Sequence, residues 1–187
     1  MKVTLIRHGK PTWRVSGWLS PFQFSEWIKM YDTSGVLESG TIPSETITEA
    51  MEANLIVTSG LKRAIHSASL LNSNCKTIPH PLFNEVELPV LLKRNCWLKL
   101  PVFIWLFVNR LVWFLGYAQD VESYREVRNR AKAAATQLIE LAEEKGHIVV
   151  VGHGWFNRLI GRELQKSGFQ SRKAPAWRYW EAVTYVR

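Results

Sequence analysis

The chain has 187 residues, of which 47% are hydrophobic and 21% are charged. This length suits one domain with a buried core, and this composition excludes an intrinsically disordered chain. The formal net charge is +8, and the segment 154–187 alone holds seven Lys or Arg against two acidic residues. Such a surface favours anionic partners, although charge does not choose among phosphorylated metabolites, acidic lipid and nucleic acid.

The cysteine content and the amino terminus bear on the cellular compartment. Two cysteines, Cys75 and Cys96, are too few for a disulfide framework or a cysteine-based metal cluster. Residues 1–10 resemble the start of a core strand more than a secretory signal peptide. We therefore expect reduced thiols and a cytoplasmic location.

The first half of the chain is predicted to alternate strands and helices, because short apolar runs alternate with longer amphipathic ones. The predicted strands are 1–6, 54–58 and 76–83, and the predicted helices are 43–52 and 60–71, with one short helix inside the loop 10–41.

The clearest helix is predicted at 120–145, where apolar residues recur at steps of three and four. Asp120 is its predicted N-cap, and Gly146 is its predicted stop. A strand at 147–151, a helix at 154–166 and a strand at 181–186 follow. The alternation predicts one α/β domain over 1–187, a three-layer α/β/α fold with a mainly parallel central sheet.

Polar residues directly follow four of the predicted strands. In such folds ligands bind beyond the carboxyl ends of the strands, so we expect these side chains at one edge of the sheet. They are Arg7 and His8, then Ser59 and Arg63, then Glu85, and finally His153.

These residue types suit phosphoryl transfer without a metal or an organic cofactor. A guanidinium stays charged and binds phosphate oxygens in pairs. A neutral imidazole can attack phosphorus, and a second, protonated one can hold an equatorial oxygen. A carboxylic acid can protonate the departing ester oxygen. The set therefore predicts a complete site for cleaving a phosphate monoester.

Five short motifs occur in order along the chain: LIRHG at 5–9, TSGLKRA at 58–64, FNE at 83–85, ES at 122–123 and VVVGHG at 149–154. Together they resemble the motifs of the histidine phosphatase superfamily, which includes the cofactor-dependent phosphoglycerate mutases. A lone RHG would be weak evidence, whereas the ordered set at strand ends is specific.

The resemblance implies a role for each matched residue. His8 is implied to be the nucleophile that becomes phosphohistidine, and Glu85 to be the general acid. Arg7, Arg63 and His153 are implied to form the phosphate pocket, with His153 also catalytic.

Four positions leave alternatives open. Ser59 would either bind phosphate or only cap the next helix. Arg14 stands where many family members have Asn, and would either contact phosphate or point to solvent. Glu87 competes with Glu85 as the acid, and motif position favours Glu85. Trp155 stands where the family often has Gly, and its bulk would narrow the pocket.

The segment 97–117 is rich in Trp and Phe and is not explained by the resemblance. Its apolar run is interrupted by Asn109 and Arg110, which argues against a membrane-spanning helix. It is interpreted as a helical cap-like insertion over the site, an interfacial membrane helix or a dimer surface. In the second reading, the nearby basic residues lie close to anionic lipid: Lys93, Arg94, Lys99 and Arg110.

The sequence thus predicts a metal-independent phosphatase that acts through phosphohistidine on a small phosphorylated substrate, with apolar or lipid-like phosphates among the candidates. One alternative is a phosphoglycerate mutase-like phosphotransferase, and another is a catalytically weak membrane- or protein-binding module of the same fold. No nucleic-acid partner is expected, because no recognised nucleic-acid motif accompanies the charge. The sequence does not predict the oligomeric state.

Overall fold

The computed structural model describes residues 1–13, 16–72, 74–91, 97–173 and 178–187. Arg14 and Cys96, and the basic pair Lys93 and Arg94, therefore lie outside the described residues. The strands are β1 (Lys2–Arg7), β2 (Trp18–Leu19), β3 (Leu55–Thr58), β4 (Thr77–Pro79), β5 (Leu100–Pro101), β6 (His147–Gly152) and β7 (Ala182–Val186). The helices are α1 (Pro21–Thr33), α2 (Ser44–Met51), α3 (Lys62–Leu71), α4 (Val102–Phe114), α5 (Tyr124–Lys145) and α6 (Gly154–Lys166).

The central sheet has the order β4-β3-β6-β1-β7, and only β7 runs antiparallel to its neighbour. Every residue of β6 is buried, because helices cover both faces of the sheet. Side chains of alternate strand residues pack into two separate hydrophobic cores, one on each face of the sheet. Val150 packs with α5 and α6 on one face, while Val149 packs with α3 on the other. The predicted α/β fold with a mainly parallel sheet is confirmed.

Two predicted elements differ from the structure. The predicted strand 76–83 is the three-residue β4 followed by a 3-10 turn at Pro81–Phe83, since His80 caps that turn through its Nδ1. The prediction that Asp120 caps the long helix is wrong. Ser123 is the N-cap, and it exchanges hydrogen bonds with Glu126 in a capping box, while Asp120 has a φ of 59°.

α4 lies within the segment 97–117 and is attached through one face. Trp105 stacks on Phe24 with ring centroids 5.6 Å apart, and its indole N–H donates to the Leu19 carbonyl oxygen. Asn109 accepts the Leu91 N–H, and the Trp113 indole donates to the Glu122 carbonyl oxygen. Within the described part of the chain, no helix is long and apolar enough to cross a membrane.

Parallel pairing brings three strand ends to one edge of the sheet. Beyond the strands themselves, the His8 N–H donates to the Gly152 carbonyl oxygen at 2.9 Å. The Ser59 N–H donates to the Val151 carbonyl oxygen at 3.2 Å. The residues that follow β1, β3 and β6 are therefore held in register, and the site is built on them.

We expect Gly161→Ala in α6 to destabilise the protein, although Ala normally favours a helix by about 1 kcal/mol over Gly. A Cβ at this position would lie 2.1 Å from the Tyr185 hydroxyl oxygen. Overpacking of this kind costs about 1–3 kcal/mol, which urea denaturation measures. Gly40→Ala is the control, because its Cβ would meet nothing closer than 3.8 Å. An unchanged or higher midpoint for Gly161→Ala would contradict the packing.

Candidate active site

The His8 ring is held in place by a hydrogen bond to the backbone of the next residue. Its Nδ1 lies 2.6 Å from the Gly9 carbonyl oxygen. A carbonyl oxygen only accepts, so Nδ1 carries the hydrogen and Nε2 keeps its lone pair. The Gly9 N–H in turn donates to Ser67 of α3, whose hydroxyl donates to the Arg63 carbonyl oxygen. The loop after β1 is thus tied to the helix that carries Arg63.

His8 is kept neutral by its surroundings. Its side chain is 2% exposed, and burial is the largest cause that lowers its pKa, to about 3. The positive charges of Arg63 and Arg7 lower this pKa further, while the hydrogen bond to Gly9 opposes them. At neutral pH the ring is an unprotonated imidazole rather than an imidazolium.

His153 lies beside His8, with ring centroids 5.1 Å apart. It is fully buried, and its Nε2 lies 2.7 Å from the Ser59 hydroxyl oxygen. Burial first, and then the charge of Arg63, hold the pKa of His153 well below its ordinary value. The Ser59 hydroxyl also accepts the N–H of Leu61, the residue before α3, so Ser59 contacts both His153 and the turn that leads into the helix.

Arg63 and Arg7 supply the positive charge. Arg63 is 1% exposed, and its Nη1 donates to Asp32 at 2.9 Å. Its guanidinium also lies over the Tyr31 ring, 4.5 Å from the centroid. Arg7 ends β1, and its guanidinium lies over the Tyr179 ring at 4.3 Å.

Glu85 faces the start of α6. Its Oε1 accepts the Phe156 N–H at 3.3 Å and the Val86 N–H at 3.0 Å. Glu87, the competing carboxylate, lines the same cavity but is exposed.

Arg130 of α5 supports the segment that carries Glu85. Its guanidinium binds the Glu122 carboxylate through Nε and Nη2, at 2.7–3.0 Å. Its Nη1 donates to the carbonyl oxygens of Leu82 and Asn84. The ES motif at 122–123 therefore has two structural roles, since Glu122 orients Arg130 and the next residue caps α5.

A cavity of about 1020 Å³ opens at this edge of the sheet. Its lining includes Arg7, Arg63, Glu85 and Tyr179. The His8 ring lies near the Tyr179 ring, with centroids 5.7 Å apart.

Three buried nitrogen atoms of this lining have no hydrogen-bond partner among the described residues. They are Trp13 Nε1, Arg63 Nε and Arg110 Nη1. Buried donors are normally paired, and an anionic ligand would pair them. Nowhere in the described ranges do His, Cys, Asp and Glu form a cluster suited to a metal ion.

The structure brings most predicted site residues together. Arg7, His8, Ser59, Arg63, Glu85 and His153 all lie at the carboxyl edge of the sheet or against the cavity there. Arg14 lies outside the described residues, so its predicted phosphate contact stays a prediction. Trp155 lines the cavity, as its predicted narrowing role requires.

Sequence reasoning missed three residues of the cavity wall. Tyr179 and Asp32 carry no motif, and only contacts made after folding reveal them. Arg110 was placed near lipid in the interfacial interpretation, but its guanidinium faces the cavity. It lies over the Trp155 ring at 5.3 Å, and its Nη2 donates to the Val86 carbonyl oxygen. The sequence did carry one signal for this residue, because Arg110 is a basic side chain that interrupts an apolar run.

Comparison with known proteins gives a family and a fold. The family model of the histidine phosphatase superfamily (branch 1) matches residues 3–179. No protein of curated function matches the sequence. Among solved structures, a mycobacterial glucosyl-3-phosphoglycerate phosphatase is 20% identical, with a TM-score of 0.57 over 88% of this chain and 79% of that one. A phosphoserine phosphatase mutant from Entamoeba histolytica, in complex with phosphoserine, is 17% identical, with a TM-score of 0.56 over 99% and 90%.

We expect the free energy of unfolding to fall as the pH drops from 6.5 toward about 3, because His8 is neutral when folded and protonated when unfolded over that window. Each such histidine contributes a slope of up to about 1.4 kcal/mol per pH unit, present in full between the two pKa values. Urea denaturation at several pH values measures it. His8→Asn should show a shallower slope than the wild type, and equal slopes would contradict a neutral, buried His8.

Proposed function

The chain belongs to the histidine phosphatase superfamily, and we propose that it hydrolyses a small phosphate monoester through a phosphohistidine at His8. One observation carries the proposal. The Nδ1–H of His8 is bonded to the Gly9 carbonyl oxygen, which leaves the Nε2 lone pair for attack beside two arginines and a second imidazole. The superfamily match and the fold shared with phosphatases support a phosphatase role.

In the first step His8 Nε2 attacks phosphorus, and the bond from phosphorus to the ester oxygen breaks. Glu85 gives its proton to that oxygen, so the alcohol leaves neutral. Charge on the equatorial oxygens is balanced by Arg7 and Arg63. In this step the Ser59 hydroxyl donates to His153 Nε2, so the hydrogen of the neutral ring is on Nδ1. His153 Nδ1–H then donates to one of the equatorial oxygens.

In the second step water attacks the phosphohistidine, and Glu85, now a carboxylate, takes the proton of the water. The bond from phosphorus to Nε2 breaks, and its electron pair returns to the ring. Inorganic phosphate leaves, and Glu85 is again protonated for the next turn. This cycle uses no group outside the chain except substrate and water.

The wall of the cavity favours a substrate with an apolar part beside its phosphate. The basic side of the cavity holds Arg7 and Arg63, while α1 and α4 supply a group of apolar side chains beside the charged Lys29, Asp32 and Arg110. The apolar group is Trp27, Ile28, Leu106 and Phe107.

The first test is phosphate release from an aryl phosphate, with EDTA present and no acceptor alcohol added. We expect the wild type to turn over and to trap an acid-labile, base-stable phosphoryl label on His8. His8→Ala should show neither. Full activity in His8→Ala would overturn the mechanism, and turnover only with an added acceptor would favour a phosphotransferase.

A second test separates the two carboxylates. Glu85→Gln should lower kcat by about 10²–10⁴, because it removes the proton given to the leaving oxygen. The loss should shrink for aryl phosphates whose leaving alcohol is more acidic. Glu87→Gln is the matched control and should cause a distinctly smaller loss. If Glu87→Gln is the more damaging change, the acid is misassigned.

A further inference from the structure

The outer face of α4 is a stripe of exposed apolar side chains. Phe103, Phe107, Leu111 and Leu115 recur every fourth residue, and Phe103 and Leu115 are 67% and 79% exposed. The opposite stripe, with Trp105 and its neighbours at steps of four, is buried against the protein. We define the outer face of α4 as these four exposed residues.

The apolar surface continues beyond the helix. Trp97 is 89% exposed just before β5, and Trp18 of β2 is 67% exposed. β2 pairs with β5, and Trp18 lies opposite Pro101 at the start of α4. Large apolar side chains that are exposed close together mark an interaction site, whereas single ones scattered over a surface are ordinary. Trp and Phe are also the side chains that favour the interface between water and lipid.

Charge decides which partner fits this surface. Between Leu88 and Gln119 the sequence has no Asp or Glu and four basic residues. One of these, Arg110, faces the cavity, Lys99 is exposed, and Lys93 and Arg94 lie outside the described residues. A second copy of this segment offers no acidic side chain to pair with a basic one, whereas an anionic lipid surface would attract the basic side chains.

We infer that the outer face of α4, with Trp18 and Trp97, docks on an anionic membrane surface. The helix lies in the plane of the interface, and its opposite face stays packed on the protein. Phe107 belongs both to the outer face and to the lining of the cavity, so docking sets the cavity beside the lipid. Resting on the proposed function, the substrate class is then a phosphorylated amphiphile whose apolar part remains near the bilayer.

The test is cosedimentation of the full chain with vesicles of phosphatidylcholine alone and of phosphatidylcholine mixed with phosphatidylglycerol. We expect binding to the mixed vesicles that weakens as salt is raised. Leu111→Glu/Leu115→Glu should weaken partitioning by about a hundredfold, since two apolar side chains no longer enter the interface. Ile47→Glu/Met51→Glu on α2 is the matched control, with the same spacing, exposed residues and charge change, and should bind as the wild type does.

Three outcomes would overturn the inference: no binding of the wild type to either vesicle, equal binding by the α4 variant, or a lipid-free dimer that the α4 variant dissociates. The last would assign the face to a second copy of the chain. Turnover of a soluble aryl phosphate without lipid reports on the proposed function separately. We expect it unchanged in Leu111→Glu/Leu115→Glu, which also shows that the variant is folded.

Discussion

The parallel pairing of β1 and β3 on either side of β6 is the constraint on which the site depends. Parallel strands end at the same edge, and the ladder continues past the strands through the amide groups of His8 and Ser59. The two histidines therefore come into contact although 144 residues separate them along the chain. A slip of one residue in this register would turn each side chain to the other face of the sheet.

Placing two buried histidines beside arginines is electrostatically unfavourable when the rings are charged, and neighbouring residues reduce this cost. Burial first, and then the neighbouring arginines, lower the pKa values of His8 and His153, so both histidines stay neutral. Arg63 is balanced by Asp32, and Arg130 by Glu122. Donors at Arg63 and Trp13 remain unpaired within the described residues, which is the state expected of a site prepared for an anion.

The faces of α4 differ in their surroundings: one is buried, one is exposed, and one lines the cavity. The buried stripe anchors the helix through Trp105, Asn109 and Trp113, all of which make side-chain hydrogen bonds. Between the stripes, Arg110 and Leu106 reach the cavity. Phe107 belongs both to the cavity lining and to the outer face, so a change at this residue would act on both surfaces together.

The sequence alone determined the alternation of strands and helices, because apolar periodicity is a local property. The edge expected for His8, Ser59 and His153 followed from it, since the carboxyl ends of parallel strands lie at one edge of a sheet. The sequence also indicated the family, because each motif is a short contiguous run and the motifs occur in a fixed order along the chain. Only the tertiary structure decided the partners of these residues: the Ser59 hydroxyl that contacts His153, the start of α6 that faces Glu85, and the Val86 carbonyl oxygen that accepts from Arg110. Such contacts join segments far apart in the chain, and burial and hydrogen bonding between them arise only when the layers pack.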